Sequence, residues 1–113
     1  MTVEEIRSIA LKQPHATEDV KWGNDLCFCI AEKMFCVTSL EGAVKFSLKV
    51  SDDDFDDLCQ RKGFVPAPYV ARNKWVLIDS SAKLTKKELE NFIKKSYELV
   101  KGKLPKKLQE KLK

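Results

Sequence analysis

Apolar and polar positions alternate most cleanly between Ala43 and Val50. Val44, Phe46, Leu48 and Val50 fall on one side, and Ala43, Lys45, Ser47 and Lys49 on the other. That period of two predicts a strand with one buried face and one face toward water. Asp25–Ile30 repeats the pattern with Leu26, Phe28 and Ile30. Lys33–Ser39 reads as a strand between them, so the three form an antiparallel meander. A tight turn at Ala31-Glu32 would place Phe28 opposite Phe35 and Leu26 opposite Val37. The same register puts Cys27 opposite Cys36 on the outer face. Leu40-Glu41-Gly42 makes the second turn, with Gly42 supplying a permissive backbone.

Helical periodicity brackets this sheet. Thr2 through Glu5 has the form of a capping box, and Val3, Ile6, Ile9 and Ala10 continue it as an apolar stripe that Pro14 ends. The stretch from Pro14 through Asp19 reads as a link. Trp22 is expected in the core, because burying its large ring removes much apolar area from water. Ser51 is an N-cap, and the aspartates after it suit the positive end of a helix, with Phe55, Leu58 and Cys59 facing inward and Gly63 just past the end. Two closely spaced prolines make Phe64 through Val70 extended. Lys74 through Asp79 is a fourth strand, and Ser80 through Leu84 a loop. A second capping box, Thr85 to Glu88, opens a long helix with the stripe Leu89, Phe92, Ile93, Ser96, Tyr97 and Val100. That helix fades near Gly102 and stops before Pro105, and 105–113 is a basic tail with Leu108 and Leu112 on one side. The expected class is α+β: a meander plus a fourth strand after a helix, order α-β-β-β-α-β-α, with helices on one face of an antiparallel sheet.

At 113 residues the chain is one domain, 1–113. No run approaches the roughly 20 apolar residues of a membrane span, and the acidic start lacks an apolar secretory core. The expectation is a cytoplasmic monomer with no cofactor. The charge of +4 is uneven: ten Lys/Arg against thirteen Asp/Glu up to Ala82, then eleven Lys against four Glu from Lys83 onward. Such a segment attracts polyanions and also keeps a chain soluble.

Cys27, Cys29, Cys36 and Cys59 form no Cys-x-x-Cys pair. A three-thiolate metal site and a Cys27–Cys36 disulfide are conceivable, but reduced cysteines packing as small apolar residues fit better, since structural zinc wants four ligands at paired spacing. The cluster Asp52, Asp53, Asp54, Asp56 and Asp57 lacks the spacing of a calcium loop and fits a helix start. The single histidine, His15, lies in a surface link, and no glycine-rich phosphate loop is present, so a non-enzymatic protein is expected. The outer sheet face carries Lys45, Ser47 and Lys49, with Met34 and the first three cysteines alongside and Lys21, Arg72 and Lys74 at its edges. These cations are the candidate contacts for a phosphate backbone, although an ordinary solvated sheet face looks the same. An alternative is a protein- or small-ligand-binding module, using an aromatic groove where Trp22, Pro66, Pro68, Tyr69 and Trp75 converge.

Seven segments together resemble the MmcQ/YjbR family of small bacterial proteins. They are Glu18-Asp19-Val20-Lys21-Trp22-Gly23, Glu32-Lys33-Met34-Phe35, Ser47-Leu48-Lys49-Val50, Pro66-Ala67-Pro68-Tyr69, Trp75-Val76, Ser96-Tyr97-Glu98-Leu99-Val100 and Leu104-Pro105-Lys106-Lys107. The three sheet cysteines are not features of that family. The resemblance implies a frataxin-like (CyaY-like) fold, similar in shape to a "double wing" DNA-binding domain, and hence a DNA-binding role. The frataxin-like shape also raises a weaker possibility of metal binding at Asp52 through Asp57. The resemblance carries over no particular binding residues.

Overall fold

The computed structural model describes residues 1–67 and 73–112. In chain order the elements are α1 (Val3–Leu11), β1 (Thr17–Lys21), β2 (Asp25–Ile30), β3 (Lys33–Ser39), β4 (Lys45–Lys49), α2 (Asp52–Leu58), β5 (Phe64–Pro66), β6 (Trp75–Asp79), α3 (Lys86–Gly102) and α4 (Lys106–Lys111). The strands form one antiparallel sheet in the order β1-β2-β3-β4-β6-β5. The α+β class holds, but the sheet has six strands where the sequence pattern showed four.

Both added strands are edges, which is why periodicity missed them. Thr17–Lys21 is almost wholly exposed and has no buried face to alternate against, so it reads as a link. It is held instead by pairing with β2 and by a forked ion pair from Arg7 on α1 to Glu18, with contacts of 2.8 and 2.9 Å. Phe64–Pro66 is only three residues long, and Pro66 lacks the N–H a central strand would need. Charges on one edge and a proline on the other discourage further strand addition.

The expected strand register is corrected by a bulge. Ala31 and Glu32 both have positive φ and make a two-residue turn, so Ile30 faces Lys33 and Cys29 faces Met34. The ladder then shifts, and Phe28 faces Cys36, Cys27 faces Val37 and Leu26 faces Thr38. Phe35 is the extra residue. One inserted residue reverses the facing of the residues beyond it. Cys36 therefore turns into the core, and Val37 takes its place on the outer face.

The core lies between the sheet and the helices. Phe28, Phe35, Phe46 and Phe64 are fully buried there with Ile6, Ile30, Leu48, Ile78, Leu89 and Ile93. Phe35 meets Tyr97 edge-on at 5.3 Å between ring centres. The Tyr97 hydroxyl donates to the Pro14 carbonyl at 2.6 Å, fastening α3 to the chain after α1. The caps at Ser51 and Thr85 form as the sequence predicts, the latter as a full capping box, whereas at Thr2 the hydroxyl accepts from the Glu5 N–H but the Glu5 carboxylate turns to that hydroxyl instead of the Thr2 N–H.

Ser96 extends the link between β3 and β4 past Cys36 and Leu48, where their ladder ends. Its hydroxyl donates to the Phe35 carbonyl at 2.6 Å and accepts from the Lys49 N–H at 2.9 Å, and the residue is fully buried. A side chain from α3 thus joins β3 to β4.

Candidate functional site

The register fixes which side chains share the outer sheet face. One row crosses all six strands: Asp19, Cys27, Val37, Ser47, Leu77 and Val65. Its middle is apolar or small rather than basic. Toward one end lie Lys21 opposite Asp25, and Lys45 opposite Asp79. Toward the other lies Lys49 opposite Trp75. Lys21, Lys45 and Lys49 therefore share their face with Asp19, Asp25 and Asp79, which balances its charge.

The sequence-derived contact residues do not form one surface. Lys45 is exposed and Lys21 half-buried at the same end. Lys49 is only 8% exposed, and its ammonium donates to the Asn73 carbonyl. Burial lowers the Lys49 ammonium below its ordinary value, and the neighbouring Lys103 ammonium lowers it further, with Asp52 acting in the opposite sense. The Lys74 ammonium sits over the Phe55 ring of α2 at 4.9 Å, away from the outer face. Arg72 lies outside the described residues.

The aromatic set is also divided. Trp22 was expected in the core but is 70% exposed, because it occupies the tip of the β1–β2 turn at positive φ. Trp75 lies four strands away, at the opposite end of the sheet. Pro66 pairs with Val76 and so has the opposite facing to Trp75. Pro68 and Tyr69 lie outside the described residues.

The cysteines are free. Cys27, Cys29 and Cys36 are buried and Cys59 is half-buried. The short Cys27 and Cys29 side chains lie on the outer face, sheltered between the β1 and β3 residues beside them. Burial pushes the Cys27 thiol up to about 11, with Cys29 adding to it. Burial raises Cys29, Cys36 and Cys59 as well. Thiolate is the reactive form, so native protein at neutral pH should react slowly with a thiol reagent. Cys59, the most accessible, should be labelled first, and the three sheet thiols only after unfolding. Rapid native labelling of Cys27 or Cys29 would contradict this assignment. Among the described residues no three carboxylate, thiol or imidazole groups come together as a metal site; Asp52, Asp53 and Asp54 form the first turn of α2, and Asp56 and Asp57 lie exposed further along it.

Sequence reasoning missed the site where unpaired cations do gather. At the junction of β3, β4, β6 and the end of α3 lies an open cleft of about 520 Å3. Lys33, Lys49 and Lys103 line it over an apolar floor that includes Met34, Trp75 and Leu104. The three lysines are far apart in sequence, so no local motif announced them. Beyond it, α3 and α4 carry exposed Lys94, Lys95, Lys106, Lys107 and Lys111. Among the described residues none of these lysines has a carboxylate within 4 Å; the ion pairs found are Met1–Glu5, Arg7–Glu18 and Arg61–Glu88.

A family model described as YjbR matches residues 11–99. Among solved structures, the chain resembles a Deinococcus radiodurans protein described by the DUF419 domain, with 24% identity and a TM-score of 0.86, covering 98% of this chain and 87% of that one. It also resembles a Pseudomonas syringae protein solved as a structural-genomics target, with 19% identity and a TM-score of 0.75, covering 88% of this chain and 99% of that one. At these identities the likeness extends to the fold. No curated protein matches the chain. No helix among the described residues is long and apolar enough to cross a membrane.

Proposed function

The chain belongs to the YjbR family, and on that premise we propose that it is a non-enzymatic DNA-binding protein that holds the phosphate backbone through lysines. The observation that carries the reading is the placement of its positive charge. From Lys94 onward the sequence has eight lysines and two glutamates. Lys94 and Lys95 on α3 and Lys106, Lys107 and Lys111 on α4 are exposed and have no carboxylate partner among the described residues. Phosphate contacts of this kind give sequence-tolerant affinity through counterion release. The sheet face is the weaker surface for the same task, because Lys21 stands opposite Asp25, Lys45 stands opposite Asp79, and Lys49 is buried. On the same family resemblance we assign the fold to the CyaY-like group and the protein to the bacterial cytoplasm; superposition on a frataxin tests the former.

Anisotropy of a labelled duplex across a salt series tests the binding. The logarithm of the association constant should fall linearly with the logarithm of salt concentration, with a slope of about −0.9 per phosphate neutralised. Lys106→Glu/Lys107→Glu should weaken binding and reduce that slope by about two. Lys45→Glu should change it little. Absence of binding at low salt would end the DNA reading. Loss in Lys45→Glu with none in the α4 variant would return the contact to the sheet face.

A further inference from the structure

We propose that the cleft at the end of α3 is a binding site for a small organic phosphate, of the chemical class of a nucleoside monophosphate, with its planar body against Trp75. The site does not depend on the DNA reading, which concerns the exposed lysines of α3 and α4.

The argument starts from an imbalance. Lys33, Lys49 and Lys103 converge on one cleft, and no carboxylate lines it among the described residues. Of the three N–H donors on Lys49, one is given to the Asn73 carbonyl. Carrying a buried cation beside a second one is costly unless an anion balances them. Asp52 influences Lys49 without lining the cleft. A phosphate monoester carries about −1.5 to −2 at neutral pH and presents three acceptor oxygens, which matches a set of ammonium donors better than a single carboxylate does.

The rest of the cleft suits the body of such a ligand. Trp75 and Met34 offer a flat ring and a polarisable thioether on the floor, and Leu104 closes one side. The volume of about 520 Å3 lies within the range of ordinary small-ligand sites. Trp75 is Lys49's direct partner across β4 and β6, so the ring and the ammonium are presented side by side by a rigid ladder. The alternating apolar and charged lining is what a molecule with a charged head and an aromatic body requires.

The test uses the indole N–H resonance of Trp75 in a Trp22→Phe chain, where it is the sole tryptophan. Trp22 is exposed at a turn tip, so that background should fold normally. AMP should shift the resonance saturably, and inorganic phosphate should compete for the same shift. Acetate at equal concentration should compete far less. Lys33→Gln and Lys103→Gln, both exposed positions that leave the buried Lys49 in place, should each weaken AMP binding about tenfold, the loss of one charge-assisted contact. Three results would overturn the proposal: no saturable shift up to roughly 10 mM AMP, an affinity unaltered in both lysine variants, or acetate competing as well as phosphate.

Discussion

Replacing Ser96 with alanine should cost about 2–4 kcal/mol of stability, out of proportion to the single oxygen removed. The hydroxyl is the partner of two buried backbone groups, the Phe35 carbonyl and the Lys49 N–H. Both lie just past Cys36 and Leu48, where the β3–β4 ladder ends, so neither has a strand partner to fall back on. Each buried group left unsatisfied costs about 1–3 kcal/mol. Chemical denaturation should show the midpoint lowered with an unchanged slope, since the surface exposed on unfolding is the same. For a domain of this size the melting temperature should drop by on the order of 10 °C. A loss below about 0.5 kcal/mol would mean that water or a shifted backbone replaces the hydroxyl, and that Ser96 does not join the strands.

Gly63→Ala should be at least as damaging, for two separable reasons. Gly63 has φ of +88°, where an L-residue is strained, and a Cβ built there would stand 2.5 Å from the Ala82 nitrogen. That obstacle is backbone, held by the Ala82 N–H donating to the Asp79 carbonyl, while the Gly63 carbonyl accepts from the Asp79 N–H. The turn after α2 and the end of β6 therefore approach each other so closely that only hydrogen fits between. Gly42→Ala supplies the control. Its φ is +72° but nothing lies within 4 Å of the added methyl, so only the conformational cost of about 1–2 kcal/mol applies. Gly63→Ala should exceed it by about a further 2 kcal/mol, in the range of overpacking. Equal losses in the two variants would show that the β6 end yields to the methyl.

The two binding proposals make different demands on the same lysine-rich end of the molecule. DNA contact uses exposed lysines on α3 and α4 and is screened by salt. The cleft uses Lys49, which is held by the Asn73 carbonyl and shielded from water, and screening acts less on such a buried charge. Raising salt should therefore weaken duplex binding more steeply than AMP binding.

Local sequence determined much of this protein. Alternation in Asp25–Ile30 and Lys45–Lys49, the helical stripe of α3, the caps at Thr2, Ser51 and Thr85, and the breaks at Pro14 and Pro105 are all set within a few residues of one another. Each depends on side-chain periodicity or on a backbone bond three residues away, and such signals can be read along a line. The edges of the sheet could not be, because β1 buries almost nothing, β5 is only three residues long, and both owe their conformation to a neighbouring strand. Neither could the facing of Cys36 and Val37: a single inserted residue at Phe35 reverses the alternation, and it is sustained by Ser96, 61 residues away. The same holds for charge. Sequence shows how many lysines lie beyond Lys83, but Lys49 became buried, Lys45 came to face Asp79, and Lys33, Lys49 and Lys103 met in one cleft only when antiparallel pairing and the packing of α3 brought distant segments together. Electrostatic and hydrogen-bond partners are chosen by distance in space, and that is decided by the tertiary structure.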